Sequence, residues 1–209
     1  MTAVLLTALG IASGCDKTGD YQAVNHYLSS PEDLQAVRSA VLIDLAAEGS
    51  NIRIAPAYTE ELCKAVQNQR LFRVELIHGD NPICQDLPLY KRSAYSLQEL
   101  ADIRRALGAD AILIGKISKF QPYPRMQVAV YAQLFDLKEG NLVWAVYEVW
   151  DTTDKKTAAR IRDYFRKDMR QGYDPYDWEL AMVSPRIFAK FVASEIAHTL
   201  HRPQKEDKP

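Results

Sequence analysis

Leu107-Gly-Ala-Asp-Ala-Ile-Leu-Ile-Gly115 decides the fold. Its apolar run from Ala111 to Ile114 is unbroken, which fits a strand covered on both faces. Gly108 stands where a preceding helix must stop, since glycine enters the left-handed conformation without steric cost. Just upstream, Leu97-Gln-Glu-Leu-Ala-Asp-Ile-Arg-Arg-Ala-Leu107 repeats its apolar residues at helical spacing. Ser96 caps that helix, and Glu99 three residues later completes a capping box. The stretch therefore predicts a helix feeding directly into a central strand over Asp110–Lys119.

Downstream, Pro122-Tyr-Pro124 breaks the strand. Met126–Asp136 and Leu142–Trp150 read as two more strands. Lys138-Glu-Gly-Asn141 joins them as a short hairpin. Upstream, Leu71–Ile77 alternates at period two and reads as a strand. Ala40-Val-Leu-Ile-Asp-Leu45 is a further strand candidate. Its competitor is continuation of a helix that starts at Pro31 behind a Ser30 cap. A helical pattern begins at Pro56, with Tyr58, Leu62, Ala65 and Val66 near one face and Thr59, Glu60 and Glu61 at its start. Ala46–Asn51 reads as a loop and Gly79–Ser93 as a long irregular connection.

The predicted fold is α/β (α+β). One mixed five-stranded sheet has Ile112, Leu113 and Ile114 at its centre, with the helices of Leu62 and Leu100 packed on it. Two C-terminal helices are added. One spans Thr157–Arg170. The other is capped by Ser184-Pro185 and carries Ile187, Phe188, Phe191, Val192 and Ile196 on one face. The expected organisation is a signal peptide over 1–14, a tether over 15–30, a single α/β domain over 31–203 and a disordered tail over 204–209.

Composition narrows the function classes. The 209-residue chain is 47% hydrophobic and 25% charged, ordinary globular values. Its net charge of −1 gives no bulk attraction to nucleic acid. No segment after the N-terminal run has the length and apolarity of a membrane helix, and no repeat occurs at solenoid periods.

The N-terminus supplies an address. Met1-Thr-Ala-Val-Leu-Leu-Thr-Ala-Leu-Gly-Ile-Ala-Ser-Gly-Cys15 is an apolar run ending in small residues and one cysteine. It resembles a bacterial lipoprotein signal. The resemblance implies cleavage before Cys15, diacylglycerol on its sulfur and acylation of its new amino group. Val4–Ile11 is too short to span a bilayer, which takes about 20 apolar residues. Ala12-Ser13-Gly14 also suits ordinary secretory cleavage, and a cytosolic chain with an apolar start is a third reading. Export would place Cys63 and Cys84 in an oxidising compartment, where a disulfide between them would persist. The alternative is two buried thiols.

Two stretches carry a family resemblance. Leu107–Gly115 and Gln133-Leu-Phe-Asp-Leu-Lys-Glu-Gly-Asn-Leu-Val-Trp144 together resemble the envelope lipoproteins built on the TolB amino-terminal-like domain. That group includes curli-secretion-type lipoproteins, penicillin-binding-protein activators and uncharacterised surface lipoproteins. The similarity covers roughly residues 40–150. Both motifs are structural: Gly108 turns the chain, Ala109 and Ala111 allow close packing, and Gly140 makes the hairpin. They imply a fold more than an activity. The chain departs from the pattern at Lys138-Glu139, where the family prefers Thr before Gly, and from Asp151 onward.

Chemical motifs are sparse. There is no Gly-x-Ser-x-Gly elbow, no Cys-Gly-x-Cys and no Gly-rich phosphate loop. His26, His78, His198 and His201 lack the spacing that sets two metal ligands on one helix face. Asp151-Thr-Thr-Asp154 reads as a helix cap before a cation site. Asp174, Asp177 and Glu179 read as solvated loop charges. No catalytic residue, cofactor or metal is expected.

Phe120-Gln-Pro-Tyr-Pro-Arg125 and Tyr173-Asp-Pro-Tyr-Asp-Trp178 are both aromatic and Pro-rich. Stiff loops bearing aromatics and Arg are what interfaces use. Tyr123, Arg125, Tyr176 and Trp178 are therefore the expected partner-binding residues. The alternative is that these rings cover their own sheet edge. The sequence favours a lipid-anchored envelope protein facing the periplasm, in the cell membrane or the outer membrane. It would be a non-enzymatic assembly or accessory factor that contacts an envelope protein and does not bind nucleic acid, with homo-oligomerisation left open. The rivals are an envelope-polymer hydrolase using carboxylates, and a ligand-binding module.

Overall fold

Ser30 begins the ordered helices. Its hydroxyl accepts from the Asp33 N–H at 3.0 Å and caps α1, Pro31–Ala36, with Pro31 in the first turn. The helix stops there, and Ser39–Ile43 forms β2, so the strand reading prevails over helix continuation. The computed structural model describes residues 24–47, 49–82, 96–169 and 178–200. The remaining elements are β1 (His26–Leu28), β3 (Ala46–Ala47), a 3₁₀ turn (Gly49–Arg53), α2 (Ala55–Gln69) and β4 (Arg73–Ile77). Then come α3 (Leu97–Leu107), β5 (Ala111–Gln121), β6 (Gln127–Asp136) and β7 (Leu142–Asp151). Three helices close the order: α4 (Lys155–Tyr164), α5 (Glu179–Val183) and α6 (Pro185–His198).

The strands form one seven-stranded mixed sheet in the order β1-β7-β6-β5-β2-β4, with β3 beside β5. β2 runs parallel to β4 and β5, whereas β5, β6, β7 and β1 succeed one another antiparallel. The mixed α/β class is as expected. The strand count is corrected from five to seven. β1 falls inside the stretch expected to be a tether, and β3 inside an expected loop. Three residues and two residues are too short to show a period, so neither strand announces itself. β1 is held by burial of Val24 and by Leu28 packing on the core.

The helix-to-strand junction forms as expected. Ser96 accepts from the Glu99 N–H while the Glu99 carboxylate accepts from the Ser96 N–H at 2.8 Å. Gly108 ends α3 at a left-handed φ of 61° and donates to the Arg104 carbonyl at 2.9 Å. At Gly115 the constraint is close approach. A β-carbon there would lie 2.6 Å from the Tyr131 carbonyl oxygen and 2.7 Å from Leu45 Cδ2.

Each sheet face has its own core. On one, Val128, Val130, Ala132 and Leu134 of β6 meet Leu62 of α2, Ile161 of α4 and Phe188 of α6. Trp144 is fully buried there, and its indole N–H donates to Thr199 Oγ1 at 3.0 Å, tying β7 to the end of α6. Buried Thr59 of α2 donates to the Ala55 carbonyl and accepts from the Leu45 N–H, so its hydroxyl is satisfied. On the other face, α3 sets Leu100, Ile103 and Leu107 against Val41, Ile43, Ile77 and Ile112. The central trio is therefore unequal: Ile112 and Leu113 are buried on opposite faces, whereas Ile114 is only half-buried.

The C-terminal layer differs in detail from its sequence reading. The expected helix to Arg170 becomes α4, followed by a π-helical turn over Phe165–Met169. Asp154 caps α4, accepting from the Thr157 N–H at 2.9 Å. Glu179–Val183, of which only Glu179 was read as loop, forms the short α5.

Candidate interaction surface

The half of the second face that α3 does not reach carries aromatic rings. Strand register arranges it in rows. Tyr27, Ala145, Gln133 and Ile114 form one row across β1, β7, β6 and β5. Tyr147, Tyr131 and Lys116 form the next, and Val149, Ala129 and Lys119 the third. Tyr27 is 51% exposed, Tyr147 55% and Tyr131 38%. Tyr131 and Tyr147 are direct cross-strand partners, the pairing that aromatic side chains use to stabilise a sheet. These three tyrosines are not among the residues expected from sequence to bind a partner. Their signal was available on β6 and β7, where Tyr131 and Tyr147 occupy the outward positions of alternating strands.

The expected binding residues do not share one setting. Tyr123 is 83% exposed in the β5–β6 connection, followed by a cis peptide to Pro124. Arg125 is half-exposed, with its Nε 4.0 Å from Asp151 Oδ2. Trp178 is half-buried against the core, with the Arg162 guanidinium 4.5 Å above its ring. Its ring is thus engaged within its own domain on one side and partly exposed on the other. Tyr176 lies outside the described residues, as does Cys15. Cys63 is a buried, free thiol on α2, so the bridge expected to Cys84 is not made in this structure, and Cys84 itself lies outside the described residues. Burial pushes the Cys63 thiol up, against a smaller opposing pull from Lys64.

Charged groups elsewhere are engaged structurally. Arg160 of α4 meets Glu195 of α6 at 2.9 Å, with side chains only 11% and 8% exposed. Burial pushes the Glu195 carboxyl up, partly offset by Arg160. Asp110, at the start of β5, accepts from Arg104 Nη2 at 3.0 Å, and its N–H donates to Ser39 Oγ. Desolvation raises the Asp110 carboxyl, but hydrogen bonds from Arg104 and Ser39 outweigh it and hold the group below its usual range. This junction borders a polar cleft of about 370 Å³ that also contains Arg38, Asp136 and Lys138. The two sequence motifs meet there: the Leu137 N–H donates to the Asp110 carbonyl at 2.8 Å. Among the described residues no group of three His, Cys, Asp or Glu side chains could hold a metal ion. His198 lies 3.4 Å from Ser194 Oγ on the exposed side of α6, and His201 lies outside the described residues.

No family model and no curated protein matches the chain. Solved structures resemble it in part. Hypothetical protein CT253 from Chlamydia trachomatis aligns with a TM-score of 0.47 at 12% identity, covering 78% of this chain and 96% of that one. Lipoprotein GNA1162 from Neisseria meningitidis aligns at 0.41 and 9% identity, covering 63% and 98%. The C-terminal domain of LpoB from Escherichia coli aligns at 0.33 and 23% identity, covering 54% and 82%. At these scores the likenesses assign neither an activity nor a partner to this chain.

Proposed function

We propose that the chain is a lipid-anchored lipoprotein of the bacterial envelope that acts as a non-enzymatic accessory factor through protein contacts. Cys15, at the end of its signal-like run, is the anchor. Two or three acyl chains hold a protein on a membrane where a single chain is marginal. Among the described residues no helix is long and apolar enough to cross a membrane, so attachment through Cys15 would be the means of retention.

The observation that carries the contact role is Tyr123. A large ring stands almost fully exposed at the end of a ten-residue pairing between β5 and β6, with Arg125 two residues on. Tyr and Arg are the side chains that dominate binding hot spots, and a Pro-flanked loop loses less entropy on docking. The experiment has two arms. Cys15→Ser abolishes fatty-acid labelling and leaves the precursor uncleaved; unchanged labelling would remove the anchor. A photo-crosslinking residue at position 123 captures one discrete envelope protein, and Arg125→Ala weakens that capture. A position-123 adduct pattern no different from one placed at exposed Lys155 would remove the contact role.

A further inference from the structure

We infer that the open tyrosine face of the sheet lies against an anionic lipid headgroup surface, on the same membrane that holds Cys15. The inference rests on the anchor reading above and adds the orientation of the folded body. Three observations support it.

The first is chemical. Tyr27, Tyr131, Tyr147 and Val149 are exposed side by side, and no charged residue interrupts them. Tyrosine combines an apolar ring with a polar tip, which is why it concentrates where hydrocarbon meets headgroup. The second is charge. Lys116 and Lys119 flank the rings on β5, and none of the ten residues in the three rows is acidic. Exposed Lys119 gives this side of the face a cationic group, complementary to acidic phospholipid. The third is reach. Eight residues separate Cys15 from Val24, and the steps between them, fully extended, span at most about 30 Å. A body of this size is about 40 Å across. The anchor therefore keeps β1, which carries Tyr27, close to the bilayer. The opposite face of the sheet is closed by α2, α4 and α6, so the half beside α3 is where bare sheet is presented. Four modest apolar groups with lysines along one side suit shallow contact with headgroups and not insertion.

The test uses the full chain carrying Cys15→Ser, so that no lipid is attached, in sedimentation with vesicles. One set contains phosphatidylethanolamine and phosphatidylglycerol, the other phosphatidylcholine alone. All variants share the same N-terminal apolar run, so differences between them report the face. The unlipidated chain binds the anionic vesicles more than the neutral ones, and salt weakens that preference. Tyr131→Ser with Tyr147→Ser lowers binding by about tenfold. Lys116→Gln with Lys119→Gln removes the preference for the anionic set. Hydrogen exchange on bound chain slows at residues 129–133 and 145–149. If the tyrosine pair variant loses its circular-dichroism signature, Tyr147→Gln alone replaces it.

Equal binding by all variants, or no exchange protection of these strands on vesicles, overturns the inference. So does a lipid-free dimer that the tyrosine variants dissolve, since the face would then pair two copies. Fatty-acid labelling of the unaltered chain in cells is scored separately. Labelling without face binding removes the orientation and leaves the anchor. Face binding without labelling removes the anchor and leaves a peripheral membrane surface.

Discussion

The two halves of the sheet obey different sequence rules. In the β2–β5 half both faces are covered, by α2 and by α3, and the strands read Ala40-Val-Leu-Ile43 and Ala111-Ile-Leu-Ile114, apolar without interruption. In the β6–β7 half only one face is covered, and Val128-Ala-Val-Tyr-Ala-Gln-Leu134 alternates. Cover on the second side is the variable, and α3 supplies it over only part of the sheet. A break from continuous to alternating patterning, within one sheet, marks where a layer stops. Beyond that line the outward positions are open to something outside the fold.

Truncation of a covered position should cost most. Trp144→Ala removes a fully buried ring and the partner of Thr199, and about 3–5 kcal/mol of stability is the expected loss by denaturant titration. Leu113→Ala should cost about 2–5 kcal/mol. Its neighbour Ile114, half-buried at the boundary between the two halves, should cost less than half as much when cut to alanine. Equal losses at 113 and 114 would show that the second face is covered further than α3 reaches.

The acid limb of stability should come from the termini of elements and not from either core. Asp154 is held below its usual range chiefly by the Thr157 N–H. Asp110 and Asp151 are also lowered, because hydrogen bonds from Arg104 and Ser39, and from Thr153, outweigh desolvation. A lowered carboxyl contributes stability that is complete above the unfolded value, about pH 3.9, and is lost as pH falls through the folded one. Glu195 has the opposite sign: its raised carboxyl favours folding below the unfolded value, and that contribution is lost as pH rises through the folded one. Asp154→Ala should therefore reduce stability at neutral pH by about 0.5–2 kcal/mol and flatten the acid limb in thermal melts across pH. Glu195→Gln should leave that limb unrelieved or steeper.

The smallest effect belongs to the open half. Tyr147→Ser should change stability by no more than about 0.5–1 kcal/mol, the range of an exposed cross-strand pair. A larger loss would mean that this ring is covered within the chain and that the two halves differ less than their patterning implies.

Legibility followed the same division. The Ser96 capping box, the Gly108 stop, the central strand and the hairpin after Asp136 were all readable, because each is set by neighbours within a few residues. β1 was not, since three residues show no period and its place depends on β7, more than a hundred residues away in sequence. Without β1 the row from Tyr27 to Ile114 cannot be drawn, and the aromatic face stays hidden. The Arg160–Glu195 pair was equally invisible: each residue suits a solvated helix, and only the packing of α4 on α6 buries them together. The contact of Trp178 with Arg162 was hidden too, because the two residues meet only through the packing of α4 beside the start of α5.

The close approach at Gly115 bears on which other sequences can share this architecture. The atoms a side chain would strike there include the backbone of β6 itself, so no rotamer change at a neighbour makes room. Substitution would have to separate the central pair of strands. Descendants of this chain can exchange much of the surface, but at this position even a methyl group meets backbone. In a comparison of distant relatives it should be the last column to vary, and a candidate relative lacking glycine there should be expected to pair its central strands differently.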